Sequence, residues 1–179
     1  MRNLIGIPLI IFTGLLQITL LPHFTAFNLI PNIALVILVI WAFLRPPEEC
    51  IVWAITAGIT LDLFSSGTFG IYTLLFVLIT FLISFVKQNF VSDINFPFKV
   101  LTALTAFLLF NTFYFLLQQF LNLIHIESTI LVPIDYLFKL TPREILYELI
   151  AFIVILKPLE WFNEWVSRHE QTVKIPTSK

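Results

Sequence analysis

An all-α bundle of six membrane-spanning helices, with both termini in the cytoplasm, is the fold that the sequence predicts. Three observations predict it. Of 179 residues, 59% are hydrophobic and 12% are charged, and the mean hydropathy is +0.97, whereas soluble domains hold roughly 45–50% apolar and 25% charged residues. Apolar runs recur at lengths close to the ~20 residues that a crossing needs. The basic residues gather in the segments that an even number of crossings leaves on one side.

The runs fall at about 4–21, 29–44, 48–65, 69–86, 99–121 and 143–157. They fill the chain, so a single transmembrane domain over residues 1–179 is expected, with no second domain. The first run follows Arg2 as a signal peptide would, but no small-x-small cleavage pattern follows, and a retained span is expected. The second run is short, so its helix is expected to begin near Pro31 with its ends in the headgroup zone. The third opens at Pro46-Pro47 with Glu48 and Glu49 in its first turn, and the fifth opens near Pro97. Thr141-Pro142-Arg143-Glu144 marks the start of the sixth as a capping box with proline at the first helical position.

With both termini inside, the inner segments hold Arg2, Arg45, Lys87, Lys99, Lys157, Arg168, Lys174 and Lys179, and the outer loops hold Lys139 and Arg143. That asymmetry is the positive-inside bias. After the sixth run, residues 158–170, "PLEWFNEWVSRHE", space Leu159, Phe162 and Val166 on one helical face with Trp161 and Trp165 beside them. An inner interfacial helix with two indole anchors is expected. The outer segment at 122–142 is too apolar to stand free in water, and it either lies on the membrane or offers a surface to an extracytoplasmic partner.

Reactive groups are scarce. His23, His125 and His169 make no metal-ligand spacing, and Cys50 is the single cysteine. No paired-aspartate, G-x-S-x-G or P-loop motif is present. Catalytic residues, a metal and a cofactor are therefore not expected, and neither is nucleic acid as a partner, since the basic residues form no block. Glu144 and Glu148 sit one turn apart at the start of the last span, where the positive end of the helix dipole favours them, with Arg143 or Lys139 as potential partners. Asn111, Gln118 and Gln119 read as hydrogen-bonding ties between helices.

The sharpest feature is "AGITLDLFSSGTFGIYTLL", residues 57–75. It sets Asp62 near the outer end of the third span, on one face with Ala54 and Gly58, and follows it with Ser65, Ser66, Gly67 and Gly70 in a tight hairpin. Two roles are open to Asp62. As a tie, its carboxylate accepts hydrogen bonds from the hairpin and pins two helices together, and Asn would keep that function. As a site, it binds a proton, a cation or a partner's cationic group, or lines an outward pocket with Ser65, Ser66, Asn111 or Gln118. The residues favour the tie, because no second acid accompanies Asp62.

Residues 31–85 resemble the rod shape-determining protein MreD family. The matching positions are Pro31-Asn32, Gly58, Leu61-Asp62, Ser65-Ser66-Gly67 and Phe69-Gly70-Ile71-Tyr72. The resemblance implies a non-enzymatic, multi-pass protein of the bacterial inner membrane within the cell-elongation machinery. Its implied partner is the bitopic MreC protein, and through it MreB filaments and the peptidoglycan-synthesising glycosyltransferase and transpeptidase pair. The family is also similar in overall arrangement to the six-helix substrate-binding components of vitamin transporters. A small-molecule transporter or substrate-binding component with a pocket near Asp62 is accordingly the rival expectation.

Overall fold

The computed structural model describes residues 8, 11–15, 17, 19, 31–65, 68–90, 95–124 and 141–173; the side chains of residues 90 and 165–173 lie outside that description. Helix makes up 92% of the described residues, and no strand occurs among them. Five complete helices are described: α1 (Ile33–Leu44), α2 (Pro47–Phe64), α3 (Ile71–Phe90), α4 (Phe96–Leu123) and α5 (Thr141–Val173). The described residues between 8 and 19 are helical as well. Most of the first predicted span, His23, His125, Lys139, Ser66 and Gly67 fall outside the described residues.

Helix α1 is the centre of the bundle and touches all four of the others. It has no polar stripe: every residue from Ala34 to Phe43 is buried. A helix apolar on all sides has to be covered on all sides. Its 12 residues span only ~18 Å, short of the ~30 Å hydrocarbon thickness. The helix starts at Ile33, and Asn32 caps it by accepting the Leu35 N–H at 3.1 Å. Asn32 is itself buried, so this end of α1 is enclosed in protein. A buried helix start needs such a cap because no water can reach its free N–H groups.

Proline sets the next boundary. Arg45 ends α1 in extended backbone, and Pro46-Pro47 opens α2 with Glu48 and Glu49 in the first turn. Helices α2 and α3 run side by side as an antiparallel hairpin. Helix α3 turns its buried side, with Leu75, Phe76, Ile79 and Ile83, to the core. Phe76 and Tyr72 meet Phe110 and Tyr114 of α4 in one aromatic cluster, with ring centroids 5.5–6.3 Å apart. Such offset and tilted pairs add to the area that they bury.

Helices α3 and α4 are long and apolar enough to cross a membrane, at Ile71–Asn89 and Phe96–Leu123. Helix α2 carries three carboxylates in 18 residues, Glu48, Glu49 and Asp62, which dilute its apolar character. Helix α5 is diluted likewise by Glu144, Glu148, Lys157 and Glu160. At 33 residues α5 is continuous through Pro158. The segment at 158–170, expected to continue into the inner headgroup layer or to lie along it, is the direct extension of the last apolar run. Trp161 on it is 70% exposed.

At the end of the bundle where α1 finishes, ionic groups tie helices together. Lys87 of α3 donates to the Ala42 and Arg45 carbonyls at 3.3 and 3.1 Å, satisfying free acceptors at the C-terminal end of α1. Lys99 of α4 and Glu160 of α5 are 2.6 Å apart. The Cys50 thiol donates to the Trp41 carbonyl at 3.4 Å, beside the Trp41–Trp53 ring contact.

Candidate functional site: two buried carboxyl groups

Asp62 is buried, and its three donors among the described residues come from α3. Its Oδ1 accepts the Tyr72 N–H at 3.0 Å, and its Oδ2 accepts the Thr73 N–H at 3.0 Å and the Thr73 hydroxyl at 2.6 Å. Asp62 therefore caps the start of α3 from nine residues before that helix begins. The geometry combines what a helix N-terminus offers an anion: unpaired N–H groups and the positive end of the dipole.

Gly58, one turn earlier, makes the approach possible. A Cβ there would lie 2.2 Å from the Thr73 Cα and 2.7 Å from its nitrogen, so only glycine lets the two backbones meet. Gly70 plays a different part. Its φ is +98°, and space around it is open, so it serves the backbone reversal before α3. Ser65 ends α2 with its N–H on the Leu61 carbonyl at 2.8 Å. Ser66 and Gly67, predicted in the same hairpin, are outside the described residues.

Of the residues proposed beside Asp62 for a polar pocket, Ser65 donates its hydroxyl to the Asp62 backbone carbonyl at 3.5 Å, whereas Asn111 and Gln118 have other partners. Asn111 bonds to Glu148, and Gln118 donates to the Tyr114 hydroxyl at 3.3 Å. The groove that flanks the hairpin, about 690 Å³, lies between α2 and α3 and is walled by side chains such as Ile51, Ile59, Leu74 and Phe81. Its one hydroxyl-bearing residue, Thr73, already donates to Asp62. Such a wall can accept hydrocarbon and offers nothing to orient a polar molecule.

A second buried carboxyl, Glu148, is 2% exposed. The Asn111 side chain donates to Glu148 Oε2 at 3.4 Å and to its own helix at the Phe107 carbonyl at 2.9 Å. The Asn32 backbone N–H, at the start of α1, faces the Glu148 carboxyl. Gln17 completes the cluster: its amide donates to Asn32 Oδ1 at 3.3 Å and accepts the Ala34 N–H at 3.0 Å. One buried helix start is thereby tied to α4, α5 and the helical segment before it.

Glu148 is not at the exposed helix start that its dipole role suggests. It shares a face with Ile145, Phe152 and Leu156, and that face is packed. The spacing 145, 148, 152, 156 could have shown this, because an acid in register with an apolar stripe points where the stripe points. The nearby charge that acts on it is Glu144, of like sign. A carboxylate at mid-membrane costs about 2.5–3.5 kcal/mol, and an interhelical hydrogen bond returns about 1 kcal/mol or less.

Among the described residues, no three His, Cys, Asp or Glu side chains are gathered in a way that could hold a metal ion. Both carboxyl centres work between helices. Against this background, the family model of the rod shape-determining protein MreD matches residues 1–164. The chain belongs to the MreD family. Membership gives it a role in rod-shape determination and a place in the bacterial membrane. Comparison with curated proteins and with solved structures gives no match. The MreD match runs across α1 to α4 and through most of α5, so both carboxyl centres lie within it.

Proposed function

We propose that this chain is a non-catalytic scaffold of the rod-shape machinery, crossing the bacterial inner membrane six times with both termini in the cytoplasm. Its partner is a bitopic MreC protein, which connects it to MreB filaments and to the glycosyltransferase and transpeptidase pair that builds peptidoglycan. The observation that carries this reading is the MreD match over residues 1–164. The use of Asp62 supports it: both oxygens are occupied by α3, which leaves a structural role for Gly58, Asp62, Ser65 and Gly70 as the frame of a partner surface. Ser66 and Gly67 are assigned to the same hairpin, and Trp161 and Trp165 to the inner headgroup layer.

A small-molecule component with a pocket at Asp62 has less support, since the adjoining groove is apolar. The deciding experiment expresses the tagged chain with its MreC partner, solubilises the membranes and asks whether the two co-purify, while depletion is scored for cell shape. Co-purification and rounding on depletion are expected. A chain that never retains the partner, in cells that stay rod-shaped without it, is not this scaffold.

A further inference from the structure

Three features of α5 belong together. It is unbroken from Thr141 to Val173, and 33 residues make ~50 Å of helix against ~30 Å of hydrocarbon. Part of it must therefore project beyond the bilayer. Ile145, Leu149, Ile155 and Leu156 seat it on the bundle by apolar packing, and three further contacts punctuate that stripe: Glu148 on Asn111, Phe152 between Phe43 and Phe107, and Glu160 on Lys99. The middle contact is apolar packing and the last is an ion pair. The first is a polar contact sealed within the bundle.

We infer that α5 is a transmembrane lever, latched to α1 and α4 by Glu148, and that opening this latch moves the projecting end of the helix. The physical case is the mismatch between need and means. Two apolar side chains of similar volume would hold α5 to α4 as firmly as a buried polar pair does, and frequently more so. Buried polar contacts in a membrane hold weakly and can exchange partners, while ionisable groups kept there are functional by default. Phe152 and its two ring partners supply the fulcrum, and the Lys99–Glu160 pair braces the turn that follows Pro158. Because an α-helix transmits tilt along its length, a small shift at Glu148 becomes a displacement at residue 164 and beyond. This inference rests on the six-span topology above, which sets Glu148 in the outer half and residue 164 on the cytoplasmic side.

The test places spin labels on Gln88→Cys and Glu164→Cys, both exposed positions, in the full chain reconstituted in lipid nanodiscs; the native Cys50 is buried. Two variants act on the latch in opposite ways. Asn111→Asp keeps the shape but sets a second carboxyl against Glu148 and opens the latch, whereas Asn111→Leu with Glu148→Leu replaces the polar pair by an apolar clamp that cannot release. The expected result is one narrow distance distribution for the native chain, for Glu148→Gln and for the double-Leu chain, and a distribution displaced or broadened by several Å in Asn111→Asp. The double-Leu protein should melt no lower than the native one and yet fail to restore rod shape in depleted cells. Unchanged distances in Asn111→Asp overturn the lever, and so does rod shape fully restored by the double-Leu chain. A membrane-impermeant maleimide distinguishes the two layers of the claim. If it labels Glu164→Cys from the outer side, the topology has failed, whatever the distances show.

Discussion

Asp62 holds both the amide and the hydroxyl of Thr73 on a single carboxylate oxygen, while its other oxygen holds the Tyr72 amide. Three donors on two oxygens leave no place for a donor on the acid side. Asn at position 62 is therefore not the silent change that a simple tie suggests. Its oxygen can serve Thr73, but its NH₂ then meets the Tyr72 N–H. Asp62→Asn should lower stability by about 1–3 kcal/mol and Asp62→Leu by roughly twice that, with Thr73→Val near 1 kcal/mol. Thermal unfolding in one detergent would rank the three, and Asn matching the native chain would contradict the two-oxygen account.

Gly58 and Gly70 should fail in different ways. Alanine at 58 drives a methyl into the Thr73 backbone, so the two helices must separate and lose the contacts around Asp62. The cost expected is about 1–3 kcal/mol or more, as for overpacking elsewhere. Alanine at 70 meets no atom within 4 Å, and only its φ of +98° resists. That costs about 1–2 kcal/mol. Combining each with Asp62→Leu gives the check: Gly58→Ala should be strongly non-additive and Gly70→Ala much closer to additive.

Much of this architecture can be read from local chemistry. Pro46-Pro47 opens α2 because its missing N–H groups coincide with the orphan positions of a helix start. Gly58, Asp62 and Gly70 announce a close, polar crossing by residue type alone. Two things escape such reading. An unbroken apolar run such as 33–44 has no preferred face, so nothing in it says that α1 lies at the centre with a buried start. Glu148 misleads because its distance from the helix start suggests a dipole role, and only its register with Ile145, Phe152 and Leu156 reveals the core.

The Lys99–Glu160 pair should show measurable coupling. Its side chains are 18% and 31% exposed, and the nitrogen and oxygen are 2.6 Å apart. A double-mutant cycle with Lys99→Met and Glu160→Gln should return about 0.5–1 kcal/mol, falling as salt is raised. No coupling at low salt would mean that α5 is not braced on α4 at this level.

Asn32 offers the sharpest contrast between a buried cap and a surface one. On an exposed helix Asn and Asp cap about equally well, and Ala costs roughly 1 kcal/mol. Here Oδ1 takes both the Leu35 N–H and the Gln17 amide, and the backbone N–H of the same residue faces the Glu148 carboxyl. Asn32→Ala leaves the Leu35 N–H without water to turn to, so its cost should reach about 2 kcal/mol or more. Asn32→Asp keeps the cap but sets a second carboxylate near Glu148, and it should be worse than Ala. Adding Glu148→Gln to Asn32→Asp removes the like charge and should restore most of the loss. Detergent melting curves of the four chains would read this order directly; Asn32→Asp at native stability would show that the start of α1 is open to water.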